Sequence, residues 1–262
     1  MNILTKILDS KREEVAASRR QRSFGDLFSE AWEVARETLS FSESLRRSDT
    51  PIIAEFKRRS PSKGFINKDA DVSTVVSGYS ACGAAAVSVL TDREYFAGSL
   101  ADLTAARQAS SVPLLCKDFI ISPYQLCEAR IAGADVVLLI ASALTKAQCV
   151  DLAVFARTLS LEVLLEVHDE AELEYVNSHV NAVGVNNRNL STFVTDTATS
   201  LRLATLIPDS YVKVSESGIA DTRTVKRLQK AGFQGFLMGE NFMKTENPAQ
   251  TLAEFVKKLK MK

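Results

Sequence analysis

A chain of 262 residues, 46% hydrophobic and 24% charged, carries ample apolar material for a packed core, in one domain or two. Its 32 basic and 32 acidic residues cancel, so nothing in the charge balance suggests nucleic acid or an anionic membrane as a bulk partner. The cysteines Cys82, Cys116, Cys127 and Cys149 form no C-x-x-C, and only His168 and His179 could assist them. No metal site is expected, and a reducing, cytoplasmic setting fits best.

Residues 1–9 are interrupted by polar side chains too early for a secretory signal, and the apolar run 136–141 is far short of the roughly 20 residues that span a bilayer. Ile3, Ile7 and Leu8 then fall at helical spacing, followed by the charged Lys11-Arg12-Glu13-Glu14. This predicts an amphipathic helix over 3–19, with Arg19-Arg20-Gln21-Arg22 as its solvated end rather than a nucleic-acid patch. Further helical stretches are expected over 24–36 and 41–49, completing a helical extension over 1–48.

From Ile52 onward, short apolar runs alternate with helical patterns. The runs are 52–57, 85–90, 114–117, 135–140, 161–167, 182–186, 211–215 and 235–238, mostly solidly apolar, as parallel strands covered on both faces should be. Helices are expected near 71–82, 99–109, 122–132, 145–159, 169–178, 195–206, 221–231 and 248–260. Gly83, Gly133 and Gly232 each close a helix before a strand, where a left-handed C′ residue belongs. The pattern predicts an α/β protein, a (β/α)8 TIM barrel over 49–262 forming one domain with its extension. A doubly wound sheet is the alternative, but no G-x-G-x-x-G follows the first strand.

In such a barrel the chemistry sits at the C-terminal ends of the strands. The first strand ends in Glu55 and Lys57, which share a face while Phe56 takes the other, and leads into the basic, turn-rich loop 58–64. The third ends in Lys117, the fifth in Glu166, and the sixth in Asn186. Each has a plainer reading: Lys117 could snorkel from a strand end, and Glu166 could cap a helix near Asp169. Two lysines and two carboxylates at one mouth favour function. Ser217-Gly218 and Gly239-Glu240-Asn241 are glycine turns at the last two strands, where barrels place a phosphate site. His168 has no nucleophile partner and reads as structural. Cys116 should face the outer helices if Lys117 faces the barrel axis, and Trp32 reads as packing.

Several strings resemble those of indole-3-glycerol phosphate synthase. They are Ile-Ala-Glu-Phe-Lys-Arg-Arg-Ser-Pro-Ser-Lys-Gly (53–64), Ser-Val-Leu-Thr (88–91), Leu-Leu-Cys-Lys-Asp-Phe-Ile (114–120), Leu-Leu-Glu-Val-His (164–168), Gly-Val-Asn-Asn-Arg-Asn-Leu (184–190), Ser-Glu-Ser-Gly-Ile (215–219) and Leu-Met-Gly-Glu (237–240). The resemblance implies ring closure, decarboxylation and dehydration of 1-(2-carboxyphenylamino)-1-deoxyribulose 5-phosphate in tryptophan biosynthesis, without a cofactor. By resemblance Lys117 is the general acid of ring closure, with Glu166 opposite it. Lys57, paired with Glu55, is the second acid–base lysine, and Asn186 and Ser217 orient the substrate. The resemblance further places Ser60 and Arg188 on the substrate and makes Phe96, Phe119 and Leu138 an apolar slot for its ring. Gly218, Gly239, Glu240 and Asn241 fall at the phosphate. Ala97 stands where the family often has asparagine. A monomer that takes one phosphorylated small molecule is expected. Another phosphate-binding barrel, such as phosphoribosylanthranilate isomerase, a ligand-binding barrel without turnover, and an interaction module using the basic extension remain as alternatives.

Overall fold

The computed structural model describes residues 3–189 and 194–261. Leu190, which ends the sixth-strand motif, and Lys262, which ends the basic C-terminal run, lie outside the described residues. Helix α1 (Ile3–Gln21) buries Leu4, Ile7, Leu8, Lys11 and Val15, a stripe at three- and four-residue steps. Helix α2 (Phe24–Glu33) is capped by Ser23, whose hydroxyl accepts from the Asp26 N–H at 3.2 Å. It ends before residue 36 because Arg36 is drawn away to Asp135, donating to Oδ1 at 2.6 Å. Helix α3 (Phe41–Arg47) is capped by Ser40 and anchored by Glu162, which accepts from the Ser40 hydroxyl and from the Ser42 backbone at 2.6 and 2.8 Å.

Eight parallel strands close into a barrel in chain order: β1 (Ile52–Phe56), β2 (Ala86–Leu90), β3 (Leu114–Lys117), β4 (Val136–Ile140), β5 (Glu162–Val167), β6 (Ala182–Asn186), β7 (Val212–Glu216) and β8 (Gly235–Met238), which returns to β1. Alternation sorts their side chains. Ile53, Leu115, Val136, Leu138, Leu164, Val212, Val214 and Leu237 pack inside the barrel, where Phe41 and Leu45 of α3 plug its base. Ile52, Ala54, Val87, Val89, Cys116 and Val137 join the outer layer beneath the helices, so Cys116 faces outward as expected.

The outer helices are α4 (Val72–Ala81), α5 (Leu100–Ala109), α6 (Pro123–Ile131), α7 (Lys146–Thr158), α8 (Ala198–Leu203), α9 (Thr222–Lys230), α10 (Glu240–Met243) and α11 (Pro248–Lys260). Gly83, Gly133 and Gly232 have φ of 93°, 100° and 98°, the left-handed turn that the repeat requires. The helix expected over 169–178 is instead a 3-10 turn, Ala171–Tyr175. There the Glu172 carboxylate turns back to accept from the His168 N–H at 2.7 Å, and Asn177 holds the following turn through Tyr175 and His179. Residues 195–197 are likewise outside α8, since Thr195 bridges to Arg188.

Helix α6 carries a carboxylate whose protonation couples to stability. Burial, with the like charges of Glu14 and Asp118, pushes the Glu128 carboxyl up to about 7. Between its ordinary 4.5 and that value the folded chain holds a proton that the unfolded chain has released. Folding stability therefore falls as pH rises through this window. Glu128→Gln is expected to be about 1 kcal/mol more stable than the parent near pH 8 and no more stable near pH 4. Urea midpoints at the two pH values decide it.

Candidate active site at the mouth of the barrel

The alternation that fills the barrel interior also builds its open end. Above the apolar layers, the inward positions at the strand ends are Glu55 and Lys57, Leu90, Lys117, Ile140, Glu166, Asn186 and Glu216. They line a cavity of about 410 Å³, a size suited to a small organic ligand. Every site residue nominated from the sequence lines it: Glu55, Lys57, Ser60, Phe96, Lys117, Phe119, Leu138, Glu166, Asn186, Arg188, Ser217, Gly218, Gly239, Glu240 and Asn241. Helix α1 adds Ile3, Leu4 and Ile7, so the extension forms part of the wall.

Lys117 stands between two carboxylates, with Nζ 3.3 Å from Glu166 Oε2 and 3.4 Å from Glu216 Oε2. Burial alone would depress its ammonium, but the charges of Glu216, Glu166 and Glu55 outweigh that and hold its pKa above the ordinary lysine value. The two acids diverge. Burial raises both, yet Lys117, His168 and a hydrogen bond with Asn186 bring Glu166 below the usual carboxylate range. Glu216, which Lys117 relieves only partly and Glu166 opposes, stays above it. Across the mouth, Lys57 pairs with Glu55.

Glu216 escapes nomination because it stands in the run 215–218, read from its serines and glycine as a turn, whereas β7 runs through Glu216 and continues the inward series Val212, Val214. Two glycines make room for these acids. A Cβ at Gly184 would lie 2.3 Å from Glu216 Oε1, and one at Gly239 would lie 2.5 Å from Glu55 Oε1. Gly184→Ala is therefore expected to displace the Glu216 carboxylate and lower kcat on the order of tenfold while the barrel still folds. Steady-state rates with a circular dichroism control test this, and an unchanged kcat would refute the spacer role.

His168 is more than a loop histidine. Its Nδ1 lies 3.1 Å from Glu172 Oε2, and its Nε2 lies 3.4 Å from Glu166 Oε1, the oxygen turned away from Lys117. Arg188 reaches Ser62 at 3.2 Å, and its backbone N–H donates to Asn186 Oδ1 at 3.0 Å. Ser60 belongs to a small hairpin, Arg59–Ser60 against Gly64–Phe65, beside the cavity. The apolar wall holds Phe96 and Phe119 with ring centroids 6.2 Å apart, with Leu138 beside them in the lining. Ala97, in the left-handed region at φ 53°, occupies a conformation that asparagine tolerates better.

At the other side, Ser217 and Gly218 take left-handed conformations at φ 65° and 73°. Buried Asn187 fixes this turn, donating to Ser215 Oγ, Glu216 O and Ser217 O at 3.0 to 3.1 Å. Asn241 donates to Ile219 O at 2.8 Å, which ties the β8 turn to the β7 turn. The Glu240 carboxylate is engaged by Lys63 of the loop after β1, so its backbone rather than its acid is free for an anion.

Among the described residues, no helix is long and apolar enough to cross a membrane. The sequence model of indole-3-glycerol phosphate synthase matches residues 4–255. An indole-3-glycerol phosphate synthase of Bacteroides thetaiotaomicron is 51% identical over 256 residues, spanning 98% of each chain. One of Bordetella pertussis is 42% identical, spanning 97% of this chain and 99% of that protein. Among solved structures, a thiamine phosphate pyrophosphorylase from Pyrococcus furiosus superposes with a TM-score of 0.59 over 81% of this chain and 96% of its own. At 15% identity that likeness concerns the fold alone.

Proposed function

From the premise that this chain belongs to the indole-3-glycerol phosphate synthase family, we propose how its mouth performs the family's reaction. The chain is a carboxy-lyase of tryptophan biosynthesis, acting on a phosphorylated small molecule. The single observation that carries the reading is Lys117 held between Glu166 and Glu216 in a cavity that has an apolar wall on one side and the glycine turns of the last two strands on the other.

The substrate, 1-(2-carboxyphenylamino)-1-deoxyribulose 5-phosphate, has its ring between Phe96, Phe119 and Leu138. Its phosphate lies against the turns of Gly218 and Gly239-Glu240-Asn241, with Ser60 and Arg188 closing over it. The ring carbon bearing the carboxylate attacks the ketone carbon, and Lys117 gives its proton to the carbonyl oxygen as that bond forms. Carbon dioxide then departs, leaving its bonding electrons to restore the aromatic ring. Loss of the new hydroxyl as water needs a proton at that oxygen and removal of one from the adjacent carbon. Lys57, steadied by Glu55, supplies the first, and Glu166 accepts the second, while Asn186 and Ser217 orient the hydroxyls. Positioned acid–base groups contribute ~10²–10⁴-fold each, so two lysine–carboxylate sets can drive both stages by proton transfer.

The extension and barrel act as one domain, a monomer in the cytoplasm. Two lysines and a helical wall at the mouth set this site apart from an isomerase of phosphorylated sugars. Fluorescence-monitored turnover of the carboxyphenylamino substrate by the parent protein tests the reading. Absence of indole product from folded protein would leave a phosphate-binding barrel.

A further inference from the structure

Lys11 lies in a run that reads in sequence as a charged helix face, yet it is 1% exposed. Its ammonium sits 2.8 Å from Glu14 Oε2, 2.9 Å from Asp118 Oδ1 and 3.1 Å from Asp92 Oδ2. Asp118 directly follows Lys117, and Asp92 lies just past the end of β2, so one cation from the extension ties two loops of the mouth together.

Each aspartate holds a ring residue in turn. Asp92 Oδ1 accepts from the backbone N–H of Tyr95 at 2.7 Å and of Phe96 at 3.3 Å. Asp118 Oδ1 accepts from the Phe119 N–H at 2.7 Å, and Asp118 Oδ2 accepts from the Thr91 hydroxyl at the same distance. Phe96 and Phe119 are the facing rings of the apolar wall. Without the ammonium, two buried carboxylates now drawn to a single nitrogen would repel, and the loops carrying both rings would part.

We propose that Lys11 is a positioning residue for the aromatic ring of the substrate: it sets the width of the slot between Phe96 and Phe119 through Asp92 and Asp118. The claim deepens the synthase reading and rests on it for the ring. Desolvation opposes the Lys11 charge, but Asp118 and Asp92 more than offset this and keep the ammonium protonated across the working pH range.

The test compares ligands with and without a ring in the full chain. For Lys11→Met, KM for the carboxyphenylamino substrate and Kd for indole-3-glycerol phosphate are expected to rise about tenfold or more. The kcat and the Kd for ribulose 5-phosphate, which has no ring, should stay near those of the parent. Glu14→Gln, which leaves both aspartate pairs in place, should change none of these values. Equal weakening of both ligand classes, or no weakening at all, would overturn the proposal. If Lys11→Met does not fold, the comparison passes to Lys11→Met/Asp92→Asn, which removes one of the opposed charges with the cation. Failure of that variant to fold as well would assign Lys11 to stability and also overturn it. A parent protein that bound the indole ligand well above ribulose 5-phosphate but turned nothing over would fail the synthase reading while leaving the ring slot intact.

Discussion

Lys117→Met is expected to lower kcat on the order of 10³-fold while substrate binding stays close to that of the parent. The side chain nearly preserves shape and removes only the proton donor. What remains is Glu166 and Glu216, both buried, facing the position the ammonium left. Two such acids cannot both stay ionised, so one takes up a proton at neutral pH. That uptake limits the folding cost but supplies no substitute, because neither carboxyl carries its proton at the place the Lys117 ammonium held, more than 3 Å away. Lys117→Arg should fail to rescue, since the broader planar guanidinium forks onto the two carboxylates and cannot place one proton where the ammonium does. Single-turnover indole fluorescence with an equilibrium titration of substrate separates chemistry from binding. Retention of most of the parent rate in Lys117→Met would move the first protonation to Lys57.

The second large effect lies at the opposite end of the barrel. Asp135, wholly buried, accepts from Arg36 at 2.6 Å, Arg107 at 2.8 Å, the Leu39 N–H at 2.9 Å and the Leu114 N–H at 2.8 Å. It joins the extension, α5 and β3 through one carboxylate. Asp135→Ala leaves two guanidinium groups without their shared counter-charge, held only by backbone carbonyls, and two backbone donors unmatched, a loss of about 3–5 kcal/mol. For a chain of this size that corresponds to a melting temperature lower by roughly 10 °C. The folded fraction should retain its kcat, because Asp135 precedes β4 at the base while the chemistry sits at the mouth. Thermal melts and rates measured well below the transition check both halves. A drop in melting temperature of less than about 2 °C would mean that the network carries little of the extension's docking.

How far the site could be read in advance follows from period. The inward-facing ends Lys57, Lys117, Glu166 and Asn186 are legible, because a strand of alternating faces leaves few choices once one inward residue is assigned. Glu216 obeys the same rule but is masked by the serines and glycine around it, which read as a turn rather than a strand end. Lys11 shows the other kind of loss. It falls on the stripe Leu4, Ile7, Leu8, Lys11, Val15, so its burial is written in the helical spacing, but its partners Asp92 and Asp118 lie on loops distant in sequence. Folding brings that cation and its acids together across long separations that no local pattern encodes. The 3-10 turn at Ala171–Tyr175 is a local loss instead, since the Glu172 carboxylate turning back on His168, four residues earlier, is a matter of side-chain geometry rather than composition.

The closure of β8 onto β1, with Phe236 beside Ile52, also sets the order in which a growing chain can mature. A ribosome that has released the segment through β4 has produced an open sheet with two bare edges, and it has not yet made Glu162, the acid that seats α3. The extension, synthesised before the barrel, must wait for Asp92, Asp118 and Asp135 before it can dock. Its helices are thus early products and late arrivals. A topology of this kind folds slowly and shows unpaired strands meanwhile. Cellular yield of this barrel therefore depends on how long the half-made sheet is shielded from its neighbours, a kinetic demand separate from the stability of the finished molecule.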